Sequence, residues 1–248
     1  MPILATYVKT KHREFVTRTK CFFYSCEHAK KPRGVRMSKT GEGKKKRNQR
    51  KAYLKRKYEM YNNFDIGDWF FTFTNCKDFD ADTQHKTVMK ILSKAQQKLK
   101  RKGIPFTYYV KTEAGERVRP HTHALIKNTS PEIVSILIEL WQENGNVKDI
   151  KPIYNLANGK LITYILDGGD HKELNYEKYS HSRNLVPPVV EKRIYPYNSF
   201  RQQPRPPKAE YGYKYEVRNL KNWFPDRDGF VYQEYELELV KLKEVQQE

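Results

Sequence analysis

Residues 69–154 contain six apolar segments, of which four have the composition of strands and two have apolar residues at the spacing of a helix. Four are rich in β-branched and aromatic residues, as strands are, and cover Trp69–Thr74, Ile104–Thr112, Val118–Lys127 and Val147–Tyr154. Two have apolar residues at helical spacing, namely Val88, Ile91, Leu92, Ala95 and Leu99, then Ile133, Leu137, Leu140 and Trp141. The order β-α-β-β-α-β predicts an α+β fold with a ferredoxin-like antiparallel sheet and its helices on one face.

Residues that begin and end helices flank the two helical segments. Asp82 or Thr83 is expected to cap the first helix and Gly103 to end it. Ser130 is expected to cap the second helix, with Pro131 at its first position. Gly145 closes that helix, and a shorter helix is expected over about residues 158–166.

Both ends of the chain differ in composition from this core. They predict an N-terminal segment over residues 1–60, a core over 61–186 and an extension over 187–248. Residues 1–28 have room for one or two short strands. Prolines punctuate the start of the extension, and a hairpin of Tyr211–Leu220 and Phe230–Leu237 is expected after them. About a dozen residues at the end, rich in Glu and Lys, predict a helix.

A basic tract covers residues 30–57, where 14 Lys or Arg residues face a single acid, Glu42. The first half is predicted to be mobile because it contains Pro32, Gly34, Gly41 and Gly43. About residues 48–61 predict a basic helix. The tract is either a solvated arm or a phosphate-binding segment. Dense like charge repels itself, which favours phosphate binding that weakens with salt.

The net charge of +19 and the three cysteines limit the partner and the compartment. Such charge predicts a polyanionic partner, first of all nucleic acid. No run of about 18 apolar residues and no signal-peptide core are found, so no membrane is expected as a partner. Cys21, Cys26 and Cys76 are too few for a disulfide framework, and a reducing cytoplasm fits. Cys21, Cys26 and His28 lack the fourth ligand that structural zinc needs.

His121 and His123 stand one residue apart in the third predicted strand. Alternate strand side chains share a face, so the two imidazoles would lie side by side. The pair is either two unrelated surface histidines or half of a metal site. If the preceding hairpin folds about Arg117, Glu113 lies opposite His121 and Lys111 lies opposite His123. The resulting Glu-His-His set of N and O ligands suits Mn²⁺ or Mg²⁺ and leaves coordination positions open.

A nucleophile is expected on an element that faces this metal. Tyr164 lies in the short helix after the fourth strand, in the sequence KLITYIL. A tyrosine hydroxyl can attack phosphorus and form a phosphotyrosyl enzyme. Lys160 precedes it by four residues on the same helical face, where its charge can stabilise the phenolate. Tyr176 and Tyr179, in a segment expected to be rich in turns, are the alternatives.

Four segments together resemble the HUH rolling-circle replication initiators of plasmid and phage type, including relatives of filamentous-phage gene II proteins. DWFFTFT resembles the family's first motif, and PHTHALI after YVKTE resembles its metal motif. LITYIL resembles the helix with the nucleophilic tyrosine, and KYSHSRNL resembles the segment that follows it. The resemblance covers about residues 60–190.

The resemblance implies that Glu113, His121 and His123 bind the metal and that Tyr164 is the nucleophile. Members of the family nick one DNA strand at an origin, keep a 5′-phosphotyrosine link and later rejoin the strand. Two features depart from the pattern, and for the second either Lys160 substitutes or the helix ends early. Thr122 replaces a bulky apolar residue, and the turn after Tyr164 reads Asp167-Gly168-Gly169, where the family commonly has a lysine.

These observations predict a metal-dependent, DNA-nicking strand transferase that initiates rolling-circle replication of plasmid or phage DNA in the cytoplasm of a bacterial host. The DNA, single-stranded or a cruciform origin, is expected to contact Lys44, Lys45, Lys46, Arg47, Arg50, Lys51, Arg119 and Arg183. No Walker A pattern occurs, so a host helicase and polymerase are expected partners. The alternatives are a non-catalytic binder of single-stranded nucleic acid and an HUH transposase.

Overall fold

The computed structural model describes residues 3–20, 41–76, 78–116, 118–154, 160–167, 174–195, 201–211, 213–223 and 232–241. The zinc interpretation of Cys21, Cys26 and His28 lies outside these residues, as do Arg117 and residues 168–170. The chain forms two compact units, one of Glu59–Pro187 and one that combines Met1–Tyr58 with Pro188–Glu248.

Ten strands and four helices are present in the described residues, which confirms the α+β class. The strands are β1 (Ile3–Lys9), β2 (Glu14–Lys20), β3 (Trp69–Asn75), β4 (Tyr108–Gly115), β5 (Val118–Ile126), β6 (Gly145–Pro152), β7 (Leu174–His181), β8 (Val189–Tyr195), β9 (Tyr213–Trp223) and β10 (Tyr232–Lys241). The helices are α1 (Gly41–Asn63), α2 (Ala81–Arg101), α3 (Glu132–Trp141) and α4 (Lys160–Asp167). None of the helices among the described residues is long and apolar enough to cross a membrane.

The unit Glu59–Pro187 contains the predicted β-α-β-β-α-β order as β3-α2-β4-β5-α3-β6. Its five-stranded sheet has the order β6-β3-β5-β4-β7, and every neighbouring pair is antiparallel. Helices α2 and α3 pack on one face through a buried apolar cluster that includes Phe71, Phe73, Val88, Leu92, Val110, Ala124, Leu137 and Trp141. Strand alternation therefore leaves the other residues of β3, β4 and β5 on the opposite face.

The start of α2 corrects the predicted cap. Asp80, and neither Asp82 nor Thr83, is the N-cap residue, and its carboxylate accepts the Thr83 N–H at 2.8 Å. Asp80 has an extended backbone, which lets its side chain turn back to that orphan N–H. At the other end, Gly103 has φ +70°, the left-handed conformation that favours glycine, as the predicted end requires.

The two ends of the chain build one sheet with the order β8-β1-β2-β10-β9. The expected hairpin forms between β9 and β10. The helix expected near the end is wrong for residues 237–241, which belong to β10. Strand β10 pairs with both β2 and β9, so the sheet satisfies its backbone groups on two sides. Strand β8, next to the proline-rich tract, was not predicted.

Helix α1 contains the described part of the basic tract. The predicted mobility is wrong for residues 41–47, which form the first turns of this helix, and residues 30–40 lie outside the described residues. Lys, Arg, Gln and Glu are good helix formers, and a helix extends readily once begun. Within the unit of the chain ends, Lys57 contacts Glu236 at 2.7 Å and Tyr58 packs on Phe15.

Candidate functional site

The hairpin of β4 and β5 brings the predicted ligands onto one face of the sheet. Glu113 pairs with His121, and Lys111 pairs with His123, which confirms the predicted register. These four residues alternate with Thr112 and Thr122, whose hydroxyls meet at 2.8 Å on the helix-covered face. The cluster therefore lies on the sheet face opposite α2 and α3.

Three ligand atoms converge at this face. Glu113 Oε1 lies 3.1 Å from His121 Nε2 and 3.3 Å from His123 Nε2, and the two Nε2 atoms are 3.1 Å apart. In an octahedral site with bonds of about 2.1 Å, adjacent ligands are about 3.0 Å apart. Three atoms at this spacing can therefore contact one divalent ion together.

The other ring nitrogens of the histidines are held by the sheet. His121 Nδ1 donates to the Arg119 carbonyl at 2.9 Å, which leaves Nε2 as the ring nitrogen directed at the cluster. His123 Nδ1 and Thr72 Oγ1 are 3.2 Å apart, and the ring stacks on Phe70 with centroids 5.3 Å apart. Such support orients metal-binding imidazoles and fixes their tautomer.

Lys111 is a fully buried cation beside this cluster. Its Nζ lies 2.6 Å from Glu113 Oε2 and 2.7 Å from Glu177 Oε1, where β7 brings Glu177 alongside β4. Lys111 thus occupies one Glu113 oxygen and leaves the other facing the imidazoles. The sequence analysis placed Lys111 opposite His123 but missed this contact, and it missed Glu177 because it did not predict β7.

Burial and neighbouring charge set the protonation of the cluster. Burial alone would raise the pKa of Glu113, but contacts with His121, His123 and Lys111 outweigh it and hold the pKa well below its usual range. Burial is also the main cause that lowers the pKa of His123, which favours the neutral imidazole. An ionised carboxylate and a neutral imidazole are the forms that bind a metal.

The residues present fit a divalent metal. Both carboxylate oxygens of Glu113 are buried without a hydrogen bond of acceptable geometry in the described residues, and Oε1 faces two imidazole nitrogens while Oε2 forms an ion pair with Lys111. Together the three residues form the kind of cluster of His and carboxylate ligands that holds metal ions. Glu113 and His123 are buried while His121 is half-buried, so the cluster is open to solvent on one side.

Helix α4 places Tyr164 next to this cluster. Its ring meets the His123 ring edge-on, with centroids 5.4 Å apart, and 41% of Tyr164 stays exposed. Ile162, Ile165 and Leu166 form the buried side of the helix, and Lys160 is exposed at its first residue. Tyr164 is therefore within reach of a substrate that contacts the cluster.

The alternative tyrosines lie on β7, so the expected turn-rich segment is wrong at these positions. Tyr179 pairs with Lys111 on the face of the cluster, and its hydroxyl donates to the Leu166 carbonyl at 3.2 Å. Tyr176 pairs with Ala114, and its hydroxyl contacts Asp82 of α2 at 3.3 Å on the opposite face. Only Tyr179 of these two shares a face with Glu113 and His123.

The segment that contains the cluster and Tyr164 is similar to a known protein family. Residues 68–168 match the family model of replication-associated protein ORF2/G2P. The match supports a gene II-like replication protein. It includes all three residues of the cluster and Tyr164. Searches of curated proteins and of solved structures each gave no match.

The candidate DNA-binding residues lie in different surroundings. Arg119 is exposed and contacts Asp78 at 3.0 Å, and Arg183 is exposed beside Lys100 in an open groove. Arg50 of α1 contacts Glu234 and donates to the Tyr232 hydroxyl at 3.1 Å. Lys45 and Lys51 are exposed, and the side chains of Lys44, Lys46 and Arg47 lie outside the described set.

Proposed function

We propose that this protein nicks one strand of DNA at a replication origin and later rejoins it, as an initiator of rolling-circle replication. The observation that carries the proposal is the contact of Tyr164 with His123, at the edge of a cluster whose three ligand atoms lie 3.1–3.3 Å apart. The family match to a replication-associated protein supports DNA as the substrate.

The chemical step is a phosphodiester transfer to tyrosine. The Tyr164 oxygen bonds to phosphorus and loses its proton, and the bond from phosphorus to the 3′ oxygen breaks. The 3′ oxygen takes up a proton and becomes a 3′-OH that can prime synthesis, while the 5′ phosphate stays on Tyr164. Attack by a 3′-OH on the phosphotyrosine reverses the step and rejoins the strand.

Each residue of the site has a role in this proposal. Glu113, His121 and His123 would hold Mn²⁺ or Mg²⁺, which when bound would polarise a phosphodiester oxygen as a Lewis acid. Lys160, four residues before Tyr164 on α4, supplies positive charge for the developing phenolate. In this proposal Lys160 takes the place of the lysine that the HUH family commonly has one turn after its tyrosine, because α4 ends at Asp167. A host helicase would unwind the duplex, and a host polymerase would extend the 3′-OH of the nicked strand.

The covalent link to DNA tests the proposal. Wild-type protein with Mn²⁺ and single-stranded origin DNA should form an adduct that survives denaturing electrophoresis. Tyr164→Phe should abolish it, whereas Tyr176→Phe is the matched control because Tyr176 lies on the opposite sheet face. An adduct unchanged in Tyr164→Phe would contradict the assignment, and Tyr179→Phe would then be tested.

A metal-site variant separates the enzyme from the two alternatives. His121→Ala combined with His123→Ala should abolish the adduct, because the proposed metal loses two of its three protein ligands. Wild-type protein that binds single-stranded DNA equally well with and without metal and forms no adduct would favour the non-catalytic binder. Nicking only at hairpin ends would favour the transposase.

A further inference from the structure

A cleft in the unit of the chain ends combines arginine and tyrosine side chains. It has a volume of about 370 Å³ and lies on one face of the sheet β8-β1-β2-β10-β9. Antiparallel pairing sets Tyr7 opposite Val16, and Val16 opposite Tyr235, so these side chains share the face. Val16, Tyr235 and Leu237 form an apolar floor, and residues of 201–211 border the cleft.

The tyrosine rings of this cleft hold its arginines in place. The Arg18 guanidinium lies 5.9 Å from the Tyr195 ring centroid and 5.6 Å from that of Tyr235. Arg193 lies 5.4 Å from the Tyr7 ring centroid in the same way. A guanidinium that lies over aromatic rings can still bind a phosphate in two-point contact through its planar donors. Arg193 already contacts Glu191, so Arg18 is the better placed of the two for such a contact.

Arg18 has a donor that the described residues do not use. Its Nε is buried and has no hydrogen-bond partner among them. A buried donor without a partner costs free energy, which an anionic ligand in the cleft would recover. Arg18 therefore offers a buried, unused donor to an anion in the cleft.

The cleft keeps a net positive charge after the ion pairs that its own lysine and arginine residues form are subtracted. Lys9 and Arg193 contact Glu191 at 2.7 and 2.9 Å. Arg18, Arg205 and Lys208 also line the cleft and make no ion pair within the described residues, and Glu14 is the single acid among its lining residues. Burial and the Tyr195 contact raise the pKa of Tyr7 to about 12, so its phenol stays neutral beside an anion.

We propose that this cleft binds one nucleotide of a single-stranded DNA, with the phosphate on Arg18, Arg205 and Lys208 and the base against the tyrosines. The choice of DNA as the polyanion rests on the proposed function. Pockets for one small molecule have volumes on the order of 300–1,000 Å³, so the cleft accepts a nucleotide but not a duplex. Aromatic rings beside cations are the usual means of holding single strands.

Photocrosslinking tests the location of the strand. The full chain with Tyr164→Phe, which cannot form the adduct, is mixed with an oligodeoxynucleotide that contains 5-iodouracil. Crosslinks mapped by mass spectrometry should fall on peptides with Tyr7, Tyr195 or Tyr215, which line the cleft. No crosslink on these peptides would overturn the proposal. The outcome does not depend on nicking, because adduct formation is measured separately on wild-type protein.

A double variant tests the charges. Arg205→Gln with Lys208→Gln changes two exposed cleft cations, so folding is not at risk. Arg218→Gln with Lys214→Gln is the control, because it removes the same charge from exposed residues that lie outside the cleft and contact Glu216. The cleft variant should bind single-stranded DNA about tenfold more weakly, with a salt slope lower by about 0.7 per lost phosphate contact.

Competitors decide which ligand the cleft accepts. Unlabelled oligodeoxynucleotide should remove the cleft crosslinks at much lower nucleotide concentration than thymidine monophosphate or inorganic phosphate. Equal competition by thymidine monophosphate would assign the cleft to a free nucleotide and overturn the proposal. Equal loss of affinity in the cleft and control variants would overturn it as well.

Discussion

Lys111 Nζ lies 2.6 Å from Glu113 Oε2, and both side chains are almost fully buried. The second contact of Lys111, to Glu177 Oε1 at 2.7 Å, anchors the ammonium from the neighbouring strand. Because Lys111 occupies Oε2, Oε1 is the oxygen that faces the two imidazoles. The Lys111 ammonium thus fixes the direction in which Glu113 presents Oε1 to the proposed metal.

Lys111→Met should weaken Mn²⁺ binding by about 10- to 100-fold, the usual cost of losing a residue that orients a metal ligand. Without the ammonium, Glu113 and Glu177 repel each other and Oε1 loses its fixed direction. Isothermal titration calorimetry measures the affinity. Lys178→Met is the control, since Lys178 is an exposed lysine of β7 that contacts Asp82 at 2.9 Å. Equal Mn²⁺ affinity in the two variants would contradict a positioning role for Lys111.

Metal binding should stabilise the folded protein, because the ligands converge only in the folded state. Free Mn²⁺ at 100 times its Kd should add about 2.7 kcal/mol to the free energy of unfolding. Thermal denaturation with EDTA and with Mn²⁺ measures the difference. In His121→Ala the shift should become much smaller at the same Mn²⁺ concentration. A shift of equal size in that variant would place the bound metal elsewhere.

His85 should make stability depend on pH. Its ring contacts Thr112 Oγ1 at 2.9 Å and Ser180 Oγ at 3.0 Å beneath the cluster. Burial, and then the charge of Lys178, lower its pKa in the folded protein. The unfolded chain therefore binds the proton more readily, near an ordinary pKa of about 6.5. His85 therefore makes its full contribution to the free energy of unfolding above about pH 6.5. This contribution is lost as the pH falls towards the pKa of His85 in the folded protein.

The matched variant for this prediction is His85→Gln, which retains hydrogen-bonding groups without titrating. Urea denaturation of metal-free protein between about pH 7.5 and pH 5 should show a smaller loss of stability on acidification in the variant than in the wild type. Parallel pH profiles of the two proteins would show that His85 does not titrate differently on folding.

Much of the sheet and the cluster could be predicted because their determinants are local. The strand β5 and the hairpin with β4 place His121, His123 and Glu113 by alternation and pairing over a few residues. The helices α2 and α3 follow from apolar spacing in the same way. The cap of α2 was misplaced by two residues, because Asp80 and Asp82 both suit a cap and only the backbone conformation separates them.

Contacts between segments that lie far apart in the sequence could not be predicted from local patterns. Strand β7 joins β4 from more than 50 residues away and brings Glu177 to Lys111. Strand β8 joins β1 from the other end of the chain, and so creates the cleft of Arg18 and Tyr195. No local pattern predicts these pairings, since each polar strand finds its partner only when the rest of the sheet is in place.

Local sequence was enough to predict the β-α-β-β-α-β order, the shared face of His121 and His123 and Tyr164 as a candidate nucleophile. Periodicity and residue chemistry carry that information, because both act over a few neighbouring positions. Three further features are visible only in the folded protein: Tyr164 contacts His123, Lys111 contacts Glu113, and both ends of the chain form one sheet. These contacts join segments far apart in the chain, so they depend on packing of the folded chain as a whole.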